Sequence, residues 1–182
     1  WPLLFFGALS LLLTSTYANP PLQYAYRHWG LGELGVWLNF GLLQMLMGYY
    51  AQAATLTWTP FWLSIPFGLL AVLSIHNFNF IYHRRDWLIH KRTIVVQLGT
   101  ERAVDLSSLL IVLVFVAFLL IASLAVMPLR VLVTLLALPT AVSVFQRIDR
   151  DIMDLHEGVA LSRSTANATL LTSFLFCAIL II

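Results

Sequence analysis

The charged side chains of this very apolar chain gather in a few places, one of them the stretch HNFNFIYHRRDWLIHKRTIVVQLG, His76–Gly99. It holds one carboxylate, Asp86, next to Arg84 and Arg85, with Lys91 and Arg92 just beyond. Asp86 is a candidate metal ligand. A lone carboxylate beside two guanidinium groups, however, reads better as a salt-bridged loop residue than as a cage for a hard cation, which needs several oxygen donors. His83, Arg84, Arg85, Lys91 and Arg92 could grip a diphosphate or an anionic lipid headgroup through charge-assisted hydrogen bonds. The plainer reading, favoured here, is a basic loop that sets membrane orientation. His76 could ligate a chlorin magnesium or hydrogen-bond a quinone; for His76 and Asn77 alike, hydrogen bonding between helices is the simpler role.

A second charged stretch, RIDRDIMDLHEG, carries Asp149, Asp151, Asp154 and Glu157 at spacings of two, three and three, with Arg147 and Arg150 among them. That pattern is not a calcium loop, and a solvated helical extension with local ion pairs is expected. The single cysteine, Cys177, lies in an apolar run. It excludes a disulfide framework and reads as a small buried hydrophobe. There is no Gly-rich phosphate loop, no Ser-His-Asp set and no Cys/His metal spacing.

The elements that must position these residues follow from composition. The chain has 182 residues, 60% hydrophobic and only 10% charged, with mean hydropathy +0.90. A soluble domain carries about a quarter charged residues, so a membrane protein is expected, and a net charge of +2 is too small and dispersed for nucleic acid binding. Crossing a hydrocarbon core takes roughly 17–25 apolar helical residues. Six stretches approach this: Pro2–Tyr17, Leu34–Gln52, Pro60–Phe80, Leu106–Val126, Leu129–Phe145 and Ala166–Ile182. One all-α domain over residues 1–182, a polytopic bundle of about six transmembrane helices, is therefore predicted.

Nine of the ten Lys and Arg residues lie in the first, third and fifth connections, Arg130 being the exception. The positive-inside rule makes that side cytoplasmic and puts both Trp1 and Ile182 on the opposite face of an inner or cytoplasmic membrane. The chain opens at Trp1 within an apolar run, without a basic leader, so an odd number of spans is expected upstream. Trp29, Trp37, Trp58, Trp62 and Trp87 lie near predicted span ends, where an aromatic belt is expected.

The connections also carry ordered motifs. YANPPLQYAYRHWGLGELGVWLNFG, followed by MGYYAQAATLTW, contains Tyr17, Pro20, Pro21, Tyr26, Arg27, Leu31, Gly32, Glu33, Tyr49, Tyr50 and Gln52. It resembles the middle of a UbiA-superfamily prenyltransferase, closest to the menaquinone-type branch that prenylates dihydroxynaphthoate. His76–Gly99 resembles the loop after that family's sixth helix, which reads Asn-Asn-x-Arg-Asp-x-x-x-Asp-x-x-x-Gly-Lys-x-Thr-x-x-x-x-Leu-Gly. Asn79, Asp86, Lys91, Thr93, Leu98 and Gly99 match; Phe78, Ile81, Tyr82 and His90 replace the first Asn, the Arg, the first Asp and the Gly. Two extra residues separate Arg27 from Leu31-Gly32-Glu33. The resemblance covers the whole chain as helices four to nine of nine, a UbiA-like bundle.

It implies Mg²⁺ held by two aspartate-rich motifs to ionise an allylic diphosphate. The first of these has no counterpart in this sequence. In the second, Asn79, Tyr82 and Asp86 are the remnant, and a phenol with a pKa of about 10 is no anionic ligand near neutral pH. Two functions follow. One is a non-catalytic structural or accessory subunit of a larger membrane complex, in contact with partner proteins, lipid, quinone or pigment and, by analogy, photosynthetic or quinone-linked. The other is an active Mg²⁺-dependent prenyltransferase moving an isoprenoid onto an aromatic quinone precursor, with three further helices upstream. Tyr82 tips the expectation towards the first.

Overall fold

A computed structural model describes residues 1–27, 30–146 and 154–181. Among these there is no strand. The elements are α1 (Pro2–Ala18), a short 3₁₀ turn (Tyr24–Tyr26), α2 (Leu31–Val36), a π-helical segment (Trp37–Leu43), α3 (Gln44–Ala53), α4 (Thr59–Leu88), α5 (Ile94–Leu98), α6 (Thr100–Ser123), a 3₁₀ segment (Leu129–Ala137), α7 (Leu138–Val142), a second 3₁₀ segment (Ser143–Gln146) and α8 (Leu155–Ile181). Each of the six expected apolar stretches is helical. Among the described residues, only α4 and α6 are both long and apolar enough to cross a membrane on their own composition. The others fall short for physical reasons. α1 has 17 residues, the second stretch changes helical pitch at Trp37–Leu43, the fifth is 3₁₀ over Leu129–Ala137, and α8 opens on the polar residues HEGVALSRSTANAT.

The centre of the protein is the packing of α4 against α6 and α8. Leu70 and Leu73 of α4, Val114 and Phe118 of α6, and Ala168 and Phe176 of α8 share one core, closed by Val131 and Ala137 of the 3₁₀ segment. Phe67 meets Phe118 and Phe176 edge-on, with ring centroids 5.6 and 4.9 Å apart. Apolar packing cannot by itself fix the rotation of three such helices, and a polar lock does. Asn77 of α4 donates to Thr165 of α8 at 2.7 Å and accepts from Ser107 of α6 at 2.6 Å, while Nε2 of His76 bonds the Ala103 carbonyl at 2.9 Å. The helix-bonding role expected for His76 and Asn77 is what the geometry holds. Asn77→Ala is expected to cost about 1 kcal/mol, typical of interhelical hydrogen bonds within a membrane, read as a lowered thermal unfolding temperature in detergent.

α1 is attached differently. None of its residues is fully buried, and a mostly apolar helix with an open outer face suits lipid or a partner helix. It is held by its hydroxyl stripe: Asn39 of the π-helical segment accepts from Ser10 at 2.6 Å and donates to Thr14 at 2.9 Å. At Gly41 that same segment crosses α4 at Gly68.

Three expectations are corrected. The segment from His76 is not chiefly a loop: α4 continues through Leu88, α5 follows, and only residues 89–93 turn between them. The reason is that Tyr82–Leu88 keep helical packing through Asp86, whose side chain points inward. The helix that carries the fourth apolar stretch begins earlier than Leu106, at Thr100, because Gly99 (φ +79°) breaks the chain just before it. Cys177 is exposed, not buried, since α8 turns Phe176 and Ile179 to the core and leaves Cys177 outside. Trp58, Trp62 and Trp87 are exposed as interfacial residues would be, whereas Trp37 packs on Gly68. Trp29, and Arg147, Asp149, Arg150 and Asp151 of the second charged stretch, lie outside the described residues. Its end starts α8 with a reciprocal cap, Asp154 Oδ1 accepting from the Glu157 amide at 2.9 Å and Glu157 Oε2 from the Asp154 amide at 3.3 Å.

Candidate functional site

The two motif-bearing connections, far apart in sequence, converge at one end of the bundle. Asp86 lies on the face of α4 turned into the protein and is fully buried. The turn after α4 folds Lys91 back so that its ammonium donates to Asp86 Oδ2 at 3.0 Å. Thr93 then caps α5, its hydroxyl accepting from the Val96 amide at 3.4 Å. From the other connection, Gly30 (φ +69°) lets α2 begin, and Glu33 of its first turn is buried with Oε1 accepting from the Ile94 amide at 3.5 Å. Lys91 is within electrostatic reach of Glu33, and Tyr17 within reach of both Glu33 and Asp86. Tyr17 and Tyr24 meet edge-on at 5.3 Å, and Tyr24 donates to the Leu13 carbonyl at 2.6 Å. The result is a patch of two buried carboxylates with one ammonium and two phenols, all three half-buried, built from α1, the Tyr24–Tyr26 turn, α2, α4 and the turn after α4.

The other motif residues are distributed around it. Asn79 is buried on the same side of α4 as Asp86. Tyr82 is exposed, packs on Phe78 at 5.2 Å, and lies under the Arg85 guanidinium, 4.6 Å from the ring centroid. Arg85 reaches Asp86 Oδ1 only at 4.0 Å and is 65% exposed. Arg27 donates from Nε to the Leu22 carbonyl at 2.9 Å and closes its own loop, and Tyr26 ends the 3₁₀ turn beside it. Of the basic residues that were candidates for gripping an anion, Arg84, Arg85, Lys91 and Arg92, the first three face different surroundings. Lys91 points inward, Arg85 stacks on Tyr82, and Arg84 lines a separate cavity with His83. Asp86 is a salt-bridged carboxylate as expected, but it is a buried helical one, not a loop residue.

Sequence reasoning missed the pairing of Glu33 with the second motif. Its one available signal was a glutamate placed directly against an apolar span. Beside the patch, Val36, Phe40 and Ile75 line two adjoining crevices of about 410 and 250 Å³, the larger reaching Ala71, Ser74, Ser162 and Ala166, the smaller Tyr17, Tyr24 and Asn39. They form an apolar groove leading away from a charged end.

Burial pushes the Glu33 carboxyl above its ordinary 4.5, and the Ile94 amide and Lys91 offset this only in part. Between the unfolded and folded pKa the native state holds more protons, so stability falls as pH rises through that window. A Glu33→Gln variant is expected to lose this pH dependence and to exceed the native protein in stability above the window, which unfolding temperatures across a pH series would measure.

An all-helical protein with a buried acid–ammonium patch at the head of an apolar groove is a design suited to amphiphilic ligands. The chain belongs to the UbiA prenyltransferase family, which it matches over residues 1–154. It is 28% identical over 152 residues to the 2-carboxy-1,4-naphthoquinone phytyltransferase of a Synechocystis species, covering 81% of this chain and 48% of that protein. It is 36% identical over 102 residues to the 1,4-dihydroxy-2-naphthoate octaprenyltransferase of Escherichia coli (55% of this chain, 32% of that protein). Against the enzyme of that name from Mycobacterium leprae it is 31% identical over 112 residues, 60% and 37% of the two chains. These matches span about half the length of the relatives or less. No solved structure matches the chain.

The family implies Mg²⁺, and the residues of this chain do not by themselves fit it. Asp86 Oδ1 is buried without a hydrogen-bond partner, as an oxygen awaiting a cation would be. Its other oxygen, however, is neutralised by Lys91, the position four residues earlier is a phenol under a guanidinium, and no group of three His, Cys, Asp or Glu is clustered among the described residues.

Proposed function

We propose that residues 1–182 form the later two-thirds of a UbiA-type membrane domain of about six spans, with the basic connections cytoplasmic and both ends on the opposite face. In this reading the second aspartate site has become a structural ion pair, and the protein is a non-catalytic subunit of a larger membrane assembly that handles isoprenoid quinones or pigments. The observation that carries it is the buried Asp86–Lys91 pair, with Tyr82 stacked on Arg85 where a second carboxylate would be needed. The open outer face of α1, none of whose residues is fully buried, supports packing against further helices, lipid or partner proteins.

The test is a prenyl-transfer assay on membranes containing the full-length protein, with an isoprenyl diphosphate, a dihydroxynaphthoate acceptor and Mg²⁺. No product above control membranes is expected, together with co-purification of partner proteins in mild detergent. Mg²⁺-dependent product from the unaltered protein would sink this reading. A second reading, an active prenyltransferase acting on a naphthoate-type acceptor, is favoured by the activities for which the relatives are named and by the apolar groove beside Glu33. The two diverge at Tyr82→Asp. For a protein whose metal site is lost, the new carboxylate is expected to bring Mg²⁺-dependent thermal stabilisation that the native protein lacks; an enzyme already holding Mg²⁺ would show that stabilisation before the change.

A further inference from the structure

A cavity of about 380 Å³ lies between the last turns of α4 and the α5–α6 junction, lined by His83, Arg84, Trp87 and Leu88 on one side and by Val95, Val96, Gly99 and Thr100 on the other. At 100° per residue its α4 stripe is about 130° round the helix from Asp86, so it shares nothing with the buried acid–ammonium patch. Its chemistry is divided. Arg84 is the one permanent charge in the lining. His83, whose Nδ1 is tied to the Phe80 carbonyl at 2.7 Å, has Nε2 left for a ligand. The remaining walls are an indole, aliphatic side chains, Gly99 and Thr100 with its hydroxyl. Gly99 has nothing within 4 Å of where a Cβ would stand, which keeps the floor open.

We propose that this cavity binds an anionic phospholipid, its phosphate on Arg84 and the start of one acyl chain along Trp87, Leu88 and Val96. Three observations select a lipid over a soluble anion. α4 has 30 residues, about 45 Å of helix against a hydrocarbon core of about 30 Å, so a helix crossing the core overshoots it and carries Arg84 and Trp87 into the headgroup layer. The apolar side chains there are bare: Trp87 is 63% and Leu88 67% exposed, with Ile89 and Leu98 exposed nearby. A single guanidinium is a weak anchor for free phosphate in water, whereas next to an exposed apolar wall it meets both halves of an amphiphile. This rests on the membrane reading of the chain and is independent of whether it catalyses.

The test is native mass spectrometry and thermal unfolding of the full-length protein in detergent, titrated with phosphatidylglycerol, phosphatidylcholine or inorganic phosphate. Phosphatidylglycerol is expected to bind and stabilise, phosphatidylcholine weakly, inorganic phosphate not at all. Arg84→Gln should weaken phosphatidylglycerol binding about tenfold, the loss of one charge-assisted contact. Trp87→Ala should weaken it severalfold with no change of charge. Arg92→Gln, an equal charge loss outside the lining, should leave it within about twofold. Equal losses in Arg84→Gln and Arg92→Gln would mean diffuse attraction and overturn the site. So would unaltered binding in both Arg84→Gln and Trp87→Ala, or displacement of the lipid by inorganic phosphate. Recovery of the protein outside the membrane fraction would instead defeat the membrane reading itself, and the two failures are told apart by that fractionation.

Discussion

Lys91→Met is expected to destabilise the protein by about 3–5 kcal/mol, the usual cost of leaving one member of a buried ion pair unpaired. Asp86 is fully buried, and among the described residues its side chain has no hydrogen-bond donor other than the Lys91 ammonium at 3.0 Å. Arg85, 4.0 Å away and mostly exposed, is too far and too hydrated to replace it. The variant should unfold at a markedly lower temperature in detergent, and its α4–α5 turn should become susceptible to protease. The second half of the cycle is the sharper one. Asp86→Asn combined with Lys91→Met removes both charges and should recover most of the loss, because a buried pair contributes little net stability over a neutral one. If the double variant is no better than Lys91→Met alone, the pair is not the link that holds the turn against α4.

The next largest effect is expected at the crossing of the π-helical segment with α4. A Cβ on Gly41 would stand 2.6 Å from the Gly68 Cα and 3.0 Å from the Ser64 carbonyl oxygen. These are backbone atoms and cannot rotate aside. Gly41→Leu should therefore push the two helices apart and cost about 3 kcal/mol or more. Gly48→Leu, one helix further on, meets nothing within 4 Å and should be neutral or gain up to about 1 kcal/mol from helix propensity. Comparing the two by thermal unfolding separates close packing from a general intolerance of the apolar stretch. Equal losses would place the effect in the surroundings of the helix and not in the crossing.

Much of the architecture was open to a reader of the residues alone. Apolar runs of near-membrane length are helices because burial of a helix's backbone is self-contained, and that requirement acts locally. The order Tyr17, Pro20, Arg27, Glu33, then Asn79, Asp86, Lys91, Gly99 marked the family because motif spacing survives in one dimension. What went astray depended on partners. Residues 81–88 read as a charged loop, yet they are helical because Asp86 finds Lys91 beneath them. Arg84, Arg85 and Lys91 lie within one stretch, yet they face three different places. Periodicity assigns a face to a helix, but not the neighbour that faces it.

By itself, then, the sequence determined the helical class, the segregation of charge into alternate connections, and the family. These are properties of composition and order, and each is written within a few tens of residues. Only the tertiary structure decided that Glu33 meets the turn carrying Lys91 some 60 residues later, that Asp86 is withdrawn from solvent, and that Arg84 serves a separate cavity. Those outcomes turn on which helix faces pack together, set here by small contacts of high specificity: a glycine crossing at Gly41 and Gly68, and one asparagine, Asn77, shared between two hydroxyls.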